Sequence, residues 1–153
     1  MAQAVVAFGS NVGDRYKHIT DAAAQVAAIL SSFRLSSIIE TAPVGAGLEG
    51  DPPYLNAVGL GESDLAPRAL LKRLQDIESA AGRTRPYPGA PRTLDLDLIL
   101  AGDAVVDEEG LQVPHPRFRE RRFVLGPLAE LEPDLRDPVT GRTARELLAR
   151  LRS

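Results

Sequence analysis

The sequence predicts an α+β domain, an antiparallel sheet built on a split βαβ unit with helices on one face. Short apolar or alternating segments at 4–9, 33–41, 54–62 and 93–100 read as strands. Helical periodicity fills the intervals at 16–30 and 67–81. The resulting order of strand, helix, strand, strand, helix, strand is that of the ferredoxin-like βαββαβ fold.

Each element has a local reason. Residues 4–9 (AVVAFG) form a continuous apolar run that stops at Gly-Ser-Asn, as a buried strand entering a turn does. In 16–30, Ile19, Ala22, Ala23, Val26, Ala27 and Leu30 recur at helical spacing, and the alanines permit close packing on a sheet. Residues 33–41 (FRLSSIIET) alternate loosely and hold β-branched residues, which suits a strand. The stretch 43–53 (PVGAGLEGDPP) is dense in Pro and Gly and reads as a long loop, a common carrier of function. The strand at 54–62 is followed by a helix that opens on Pro67 and repeats Leu70, Leu71, Leu74 and Ile77, with Gly82 ending it. A second loop, 83–92 (RTRPYPGAPR), carries three Arg and no acid. Residues 93–100 (TLDLDLIL) alternate strictly. A short strand near 104–106 is expected to pair with it as a hairpin. The stretch 113–122 reads as irregular, 123–131 as short helical turns, and 143–151 as a last helix. No repeat or linker divides the chain, so a single domain over 1–153 is expected.

Composition narrows the function. The chain has 153 residues, 44% apolar and 25% charged, which is ordinary folded-domain usage. The net charge of -3 argues against a nucleic-acid or anionic-membrane binder. The absence of Cys excludes disulfides, thiolate metal sites and Cys nucleophiles. No apolar run is long enough to span a bilayer, and the first residues lack a basic segment ahead of their short apolar stretch. A cytoplasmic protein is therefore expected. The basic residues are skewed, 16 Arg to 2 Lys. Forked Arg donors suit phosphate, but a compositional bias of the genome would produce the same skew.

Asp95 and Asp97 stand at i and i+2 on the clearest strand. They share one face, while Leu94, Leu96 and Leu98 share the other. Adjacent carboxylates repel unless a cation lies between them. Mg²⁺, which takes one or two carboxylates plus substrate phosphates, is such a cation. Two solvated Asp on an exposed strand face are the plain alternative. Arg83, Arg85 and Arg92 flank the loop leading into the pair. That combination suits phosphoryl-type transfer, although a solvated basic loop has the same composition. His115, held between Pro114 and Pro116, precedes Arg117, Arg119, Arg121 and Arg122 and could donate to phosphate or simply occupy a surface turn. Tyr54 and Asn56 share a strand face, and Phe123 opens the segment after the Arg cluster. Asn and aromatic groups suit a planar heterocycle, or equally core packing. Gly9-Ser10-Asn11 is not followed by Gly-Lys-Ser/Thr, so no Walker loop is present. Arg15, Arg34, Arg68, Arg73, Arg136, Arg142, Arg145, Arg150 and Arg152 are scattered and read mostly as surface charge.

AFGSN near the start, ETAPVG at 40–45, YLNAV at 54–58, QDIE at 75–78, GRTR at 82–85, PRTLDLDLIL at 91–100, VPHPR at 113–117 and RxFVLGPLAEL from Arg121 follow one another along nearly the whole chain. In these the sequence resembles the 6-hydroxymethyl-7,8-dihydropterin pyrophosphokinases of folate biosynthesis. The resemblance implies a ferredoxin-like fold and transfer of the β,γ-diphosphate of ATP to the pterin hydroxymethyl group, with release of AMP. It implies two Mg²⁺ ions on Asp95 and Asp97, and a catalytic part for Asp97, Arg83 and Arg92. Gln75, Glu78, Arg83, Arg85, Arg92, His115 and Arg121 would serve ATP. Tyr54 and Phe123 would sandwich the pterin, with Asn56, Thr41, Pro43, Val44 and Gly45 reading its edge. A monomer is expected, with small molecules rather than nucleic acid or membrane as partners.

The sequence departs from the family in the Arg-rich loop. Many members carry a Trp there and a Gly directly before Pro-Arg-Thr. Here Gly89 and Ala90 occupy those places, the loop is about one residue shorter, and Tyr87 is the only bulky residue left to act as a lid. Pro116 likewise replaces a polar or aromatic residue of some members. Two competing readings are a non-catalytic ferredoxin-like module that binds a small molecule, and an RNA-binding module on the same fold. The first needs no paired carboxylates. The second would place aromatics, not Asp and Leu, on the central strand.

Overall fold

The computed structural model describes residues 2–11, 13–41, 53–82 and 94–151. Its elements are β1 (Ala2–Ser10), α1 (Arg15–Ala27), β2 (Ser31–Leu35), β3 (Ile39–Thr41), β4 (Tyr54–Ser63), α2 (Pro67–Gly82) and β5 (Asp95–Ala101). There follow β6 (Val106–Glu108), β7 (Leu111–Val113), a single 3₁₀ turn at Phe118–Glu120, α3 (Arg122–Leu131) and α4 (Ala144–Arg150). The main sheet runs β2-β4-β1-β5, and β3 also pairs with β4. Every neighbouring pair is antiparallel. This is the ferredoxin-like order expected from the sequence. β1 and β2 flank β4, and β4 and β5 flank β1, each flanking pair joined through a helix.

Alternation along β1 sorts its side chains into two cores. Ala4, Val6 and Phe8 join Leu94, Leu96 and Leu98 beneath Ile19 and Val26 of α1 and Leu70 and Leu74 of α2. Val5 joins Val58, Leu60, Ile99 and Leu100 beneath Val124, Leu125 and Leu128 of α3 and Leu147 of α4. Helices on one face alone therefore describe only α1 and α2, and the trailing segment covers the other face. The reason is visible in AVVAFG, whose unbroken apolar run needs cover on both sides. A bulge in β5 opposite Val5 and Val6 places both Ile99 and Leu100 in the second core. Close packing also requires Gly59. A Cβ there would lie 2.5 Å from the Phe33 ring and 2.9 Å from Phe8.

Three local expectations change. The strand read at 33–41 is two strands. At the break, Ser36 is buried, its N–H donates to the Val58 carbonyl at 2.9 Å, and its hydroxyl accepts the Val58 N–H at 2.9 Å. A side chain thus takes the place of a main-chain acceptor, and the chain can turn without orphaning β4. The segment after β5 does not pair back onto it. Instead β6 pairs with β7 in a separate two-stranded sheet. The turns read at 123–131 form one continuous helix, α3, which contains Pro127. Among the described residues no helix is long and apolar enough to cross a membrane.

Candidate active site

The site begins where the α3-side core ends. Going outward on that face, β4, β1 and β5 align Val58 with Ala7 and Asp97, then Asn56 with Gly9 and Asp95. The sheet surface changes from aliphatic to polar within two residues of each strand. Gly9 keeps the floor of this polar row low. A Cβ there would stand 3.4 Å from Asn56 Oδ1, 3.6 Å from Tyr54 Cδ1 and 3.9 Å from the Asp95 Cβ.

Above this row lies a cavity of about 700 Å³. It brings together Thr41, Tyr54, Asn56, Asp95, Asp97, Arg121 and Phe123 from five separate elements or turns, all expected from the sequence to belong to the site. Arg117, Glu120 and Arg122 line it as well. Asn56 is buried, and its Nδ2 donates to Thr41 Oγ1 at 2.6 Å. The Arg121 guanidinium lies 5.6 Å from the Phe123 ring centroid, within cation–π range. A second cavity of about 570 Å³ lies alongside, lined by Leu71, Leu98, Leu111, Gln112, His115 and the acidic run Asp107–Glu109. Asp97 lines both cavities.

His115 follows the cis peptide Val113–Pro114 and is tied at both ends. Its N–H donates to the Ile99 carbonyl at 2.9 Å, and its Nδ1 accepts the Arg117 N–H at 3.1 Å. An accepting Nδ1 places the ring proton on Nε2. Burial lowers its pKa from the ordinary 6.5. The nearby Asp97 works against that shift, while Arg121 and Arg117 add to it. The ring is thus a neutral donor.

Glu78 on α2 is half-buried, and its carboxylate accepts the Leu96 N–H at 2.7 Å. It holds the strand between the two Asp and lines neither cavity. Gln75 is exposed on the same helix and also lines neither. Arg83, Arg85, Arg92, Pro43, Val44 and Gly45, with the departures at Tyr87, Gly89 and Ala90, lie outside the described residues.

Asp95 and Asp97 are half-buried and point to one face, as their spacing requires. Among the described residues no group of three or more His, Asp or Glu is arranged to hold a metal. A donor set of two carboxylates opening on a cavity fits a cation that keeps water and takes substrate oxygens, as Mg²⁺ does.

Sequence reasoning missed two sets of contacts. Arg15, grouped with surface charge, donates to the Pro53 carbonyl at 2.7 Å and lies 3.1 Å from Glu40. Asp137, fully buried, takes both Nε and Nη2 of Arg119. The Asp137-Pro138 dipeptide signals a turn, but nothing local reveals a partner 18 residues away.

Comparison with known proteins agrees with this architecture. The family model described as 7,8-dihydro-6-hydroxymethylpterin-pyrophosphokinase (HPPK) matches residues 5–133. The 2-amino-4-hydroxy-6-hydroxymethyldihydropteridine pyrophosphokinase of Bacillus subtilis is 44% identical over 130 residues, covering 84% of this chain and 77% of that protein. The Pseudomonas aeruginosa protein of the same name is 42% identical over 147 residues, covering 94% and 88%. The folic acid synthesis protein fol1 of Schizosaccharomyces pombe is 37% identical over 98% of this chain, which spans only 20% of that protein's length. The solved Plasmodium falciparum HPPK-DHPS wild type with SDX-DHP superposes with a TM-score of 0.75 at 13% identity, over 97% of this chain and 44% of that one. At that identity the likeness speaks for the fold. Neither competing reading, a non-catalytic module or an RNA-binding one, is favoured by these matches. The chain belongs to the 7,8-dihydro-6-hydroxymethylpterin-pyrophosphokinase family.

Proposed function

We propose that this chain transfers the β,γ-diphosphate of ATP to the hydroxymethyl group of 6-hydroxymethyl-7,8-dihydropterin, releasing AMP, as a step of folate biosynthesis. The observation that carries the reading is the position of Asp97, which lines both adjoining cavities. One cavity has aromatic, amide and hydroxyl groups for a planar heterocycle. The other has a neutral imidazole donor and aliphatic walls for a nucleotide, with the acidic run Asp107–Glu109 also in its lining. A group passing from one ligand to the other would cross at Asp97.

The chemistry asks little covalent work of the protein, and positioning and electrostatics supply most of the acceleration. Tyr54 and Phe123 stack on the pterin. Asn56 and Thr41, with Pro43, Val44 and Gly45, bond its edge and leave the hydroxymethyl oxygen facing the Asp pair. That oxygen attacks the β-phosphorus in line and gives its proton up to solvent, the bond between the β-phosphorus and the α,β-bridging oxygen breaks, and AMP departs carrying that oxygen. His115 donates from Nε2 to a phosphate oxygen, Arg121 adds a forked donor beside it, and Arg83, Arg85 and Arg92 contact the transferring phosphates. Gln75 and Glu78 support the nucleotide side, Glu78 through its grip on β5. Asp95 and Asp97 would hold Mg²⁺, two ions on the family resemblance. A cation held there would offset the negative charge of the phosphate oxygens. The same reading takes the whole chain, 1–153, as one domain acting as a cytoplasmic monomer on small molecules alone.

The test is AMP release by the purified chain. It should require ATP, Mg²⁺ and hydroxymethyldihydropterin together. Asp97→Ala should cut turnover at least about a thousandfold with an unchanged circular dichroism spectrum. Near-normal AMP formation by that variant would overturn the metal assignment. Pterin binding by the unaltered chain without any AMP would overturn the enzymatic reading.

A further inference from the structure

Arg15 opens α1 and reaches two distant stretches of chain at once. Its Nη1 donates to the Pro53 carbonyl at 2.7 Å, and its Nη2 lies 3.1 Å from Glu40 Oε2. Glu40 immediately precedes Thr41, the last residue of β3, and Pro53 immediately precedes Tyr54, the first of β4. Thr41 and Tyr54 are register partners, and both line the larger cavity. Thr41 in turn accepts the Asn56 amide. Arg15 itself does not line the cavity. A planar guanidinium presents its donors at fixed angles. One side chain therefore bridges the β3 end and the β4 start, where Thr41, Tyr54 and Asn56 meet.

We infer that Arg15 is a positioning residue for the pterin side of the site. It holds the Thr41–Tyr54 pair, and through Thr41 the Asn56 amide, in the arrangement that receives the heterocycle. The inference rests on the functional reading above and adds to it a residue that touches neither substrate. Its energetic signature should be local. The Arg15 side chain is 27% exposed and that of Glu40 56%, and an exposed ion pair contributes little to global stability. The effect belongs to the geometry of one binding wall, on the side of the site away from His115.

The experiment compares Arg15→Ala, Arg15→Lys and Glu40→Gln with the unaltered chain. It measures KM for each substrate, kcat, pterin binding by calorimetry without ATP, and Tm. Arg15→Ala removes both contacts and, by loosening the wall that receives the heterocycle, should weaken pterin binding and raise the pterin KM about tenfold. The ATP KM and kcat should stay within about twofold, and Tm should move by only about 2 °C. Arg15→Lys restores one contact of the two and should fall between, as should Glu40→Gln. Unchanged pterin affinity in Arg15→Ala overturns the inference. So does a parallel loss of pterin and ATP affinity together with a large fall in Tm, which would mark a general structural role. An unaltered chain that forms no pterin-dependent AMP overturns the functional reading and this inference with it. An active chain with an indifferent Arg15→Ala overturns the inference alone.

Discussion

The Glu78 carboxylate accepts the main-chain N–H of Leu96 at 2.7 Å, between Asp95 and Asp97. Among the described residues β5 is the edge of the sheet, and no strand there meets its outward N–H groups. α2 supplies the missing acceptor at the one residue whose displacement would move both carboxylates. Glu78→Ala should therefore act on the metal rather than on the pterin. Losing the acceptor costs about 1–3 kcal/mol and lowers Tm by several degrees. The Mg²⁺ concentration for half-maximal turnover should rise, while the pterin KM holds. Glu78→Gln keeps an accepting oxygen and should recover most of the Mg²⁺ response. Equal Mg²⁺ dependence in Glu78→Ala and the unaltered protein would show that α2 does not set the Asp pair.

His115 offers a spectroscopic check. Because Nδ1 accepts from the Arg117 N–H, the ¹⁵N spectrum of the metal-free protein at pH 7 should show a proton on Nε2 and none on Nδ1. The titration midpoint should lie below the ordinary 6.5, mainly because burial disfavours the cation. The sign of the linkage follows. Below 6.5 the unfolded chain takes up protons that folded His115 refuses. Stability on this account is full above 6.5 and declines as pH falls from 6.5 through the depressed folded value. A midpoint at or above 6.5, or a proton on Nδ1, would contradict the geometry.

Much of the site is legible in the sequence because its parts are local. The i, i+2 spacing of Asp95 and Asp97 fixes a shared face on any strand, and Tyr54 and Asn56 follow the same rule. What connects these residues is not local. The row Asn56–Gly9–Asp95 exists only through the registers of β4, β1 and β5, and Gly9 reads in sequence merely as the end of an apolar run. Arg15 illustrates the limit most plainly. Its partners lie in β3 and before β4, so composition files it with the scattered arginines. The second helical layer was half visible, since an unbroken apolar β1 needs cover on both faces. Which segment would supply that cover was not.

The remaining contact that sequence missed, Asp137 with Arg119, makes a stability prediction. The Asp137 side chain is fully buried, and burial alone would raise its pKa. The Arg119 fork, the Val139 N–H and the Thr140 hydroxyl outweigh this and hold it below the ordinary 3.8. A depressed carboxyl contributes stability that is complete above its unfolded pKa and lost as pH falls through the folded one. Asp137→Ala leaves the partly buried Arg119 uncompensated and should cost about 3 kcal/mol at pH 7, or roughly 10 °C in Tm. Asp137→Asn keeps the shape and some of the bonds and should cost less. The gap between the unaltered protein and Asp137→Asn should be constant above about pH 5 and narrow below about pH 4. Urea unfolding at a series of pH values measures it. A gap that stays constant down to pH 3 would mean that the charge of Asp137 does not anchor Arg119. Arg119 lies in the 3₁₀ turn between His115 and Arg121. Loss of the anchor should therefore also raise the ATP KM, and an ATP KM unmoved in a folded Asp137→Asn would confine the pair to stability alone.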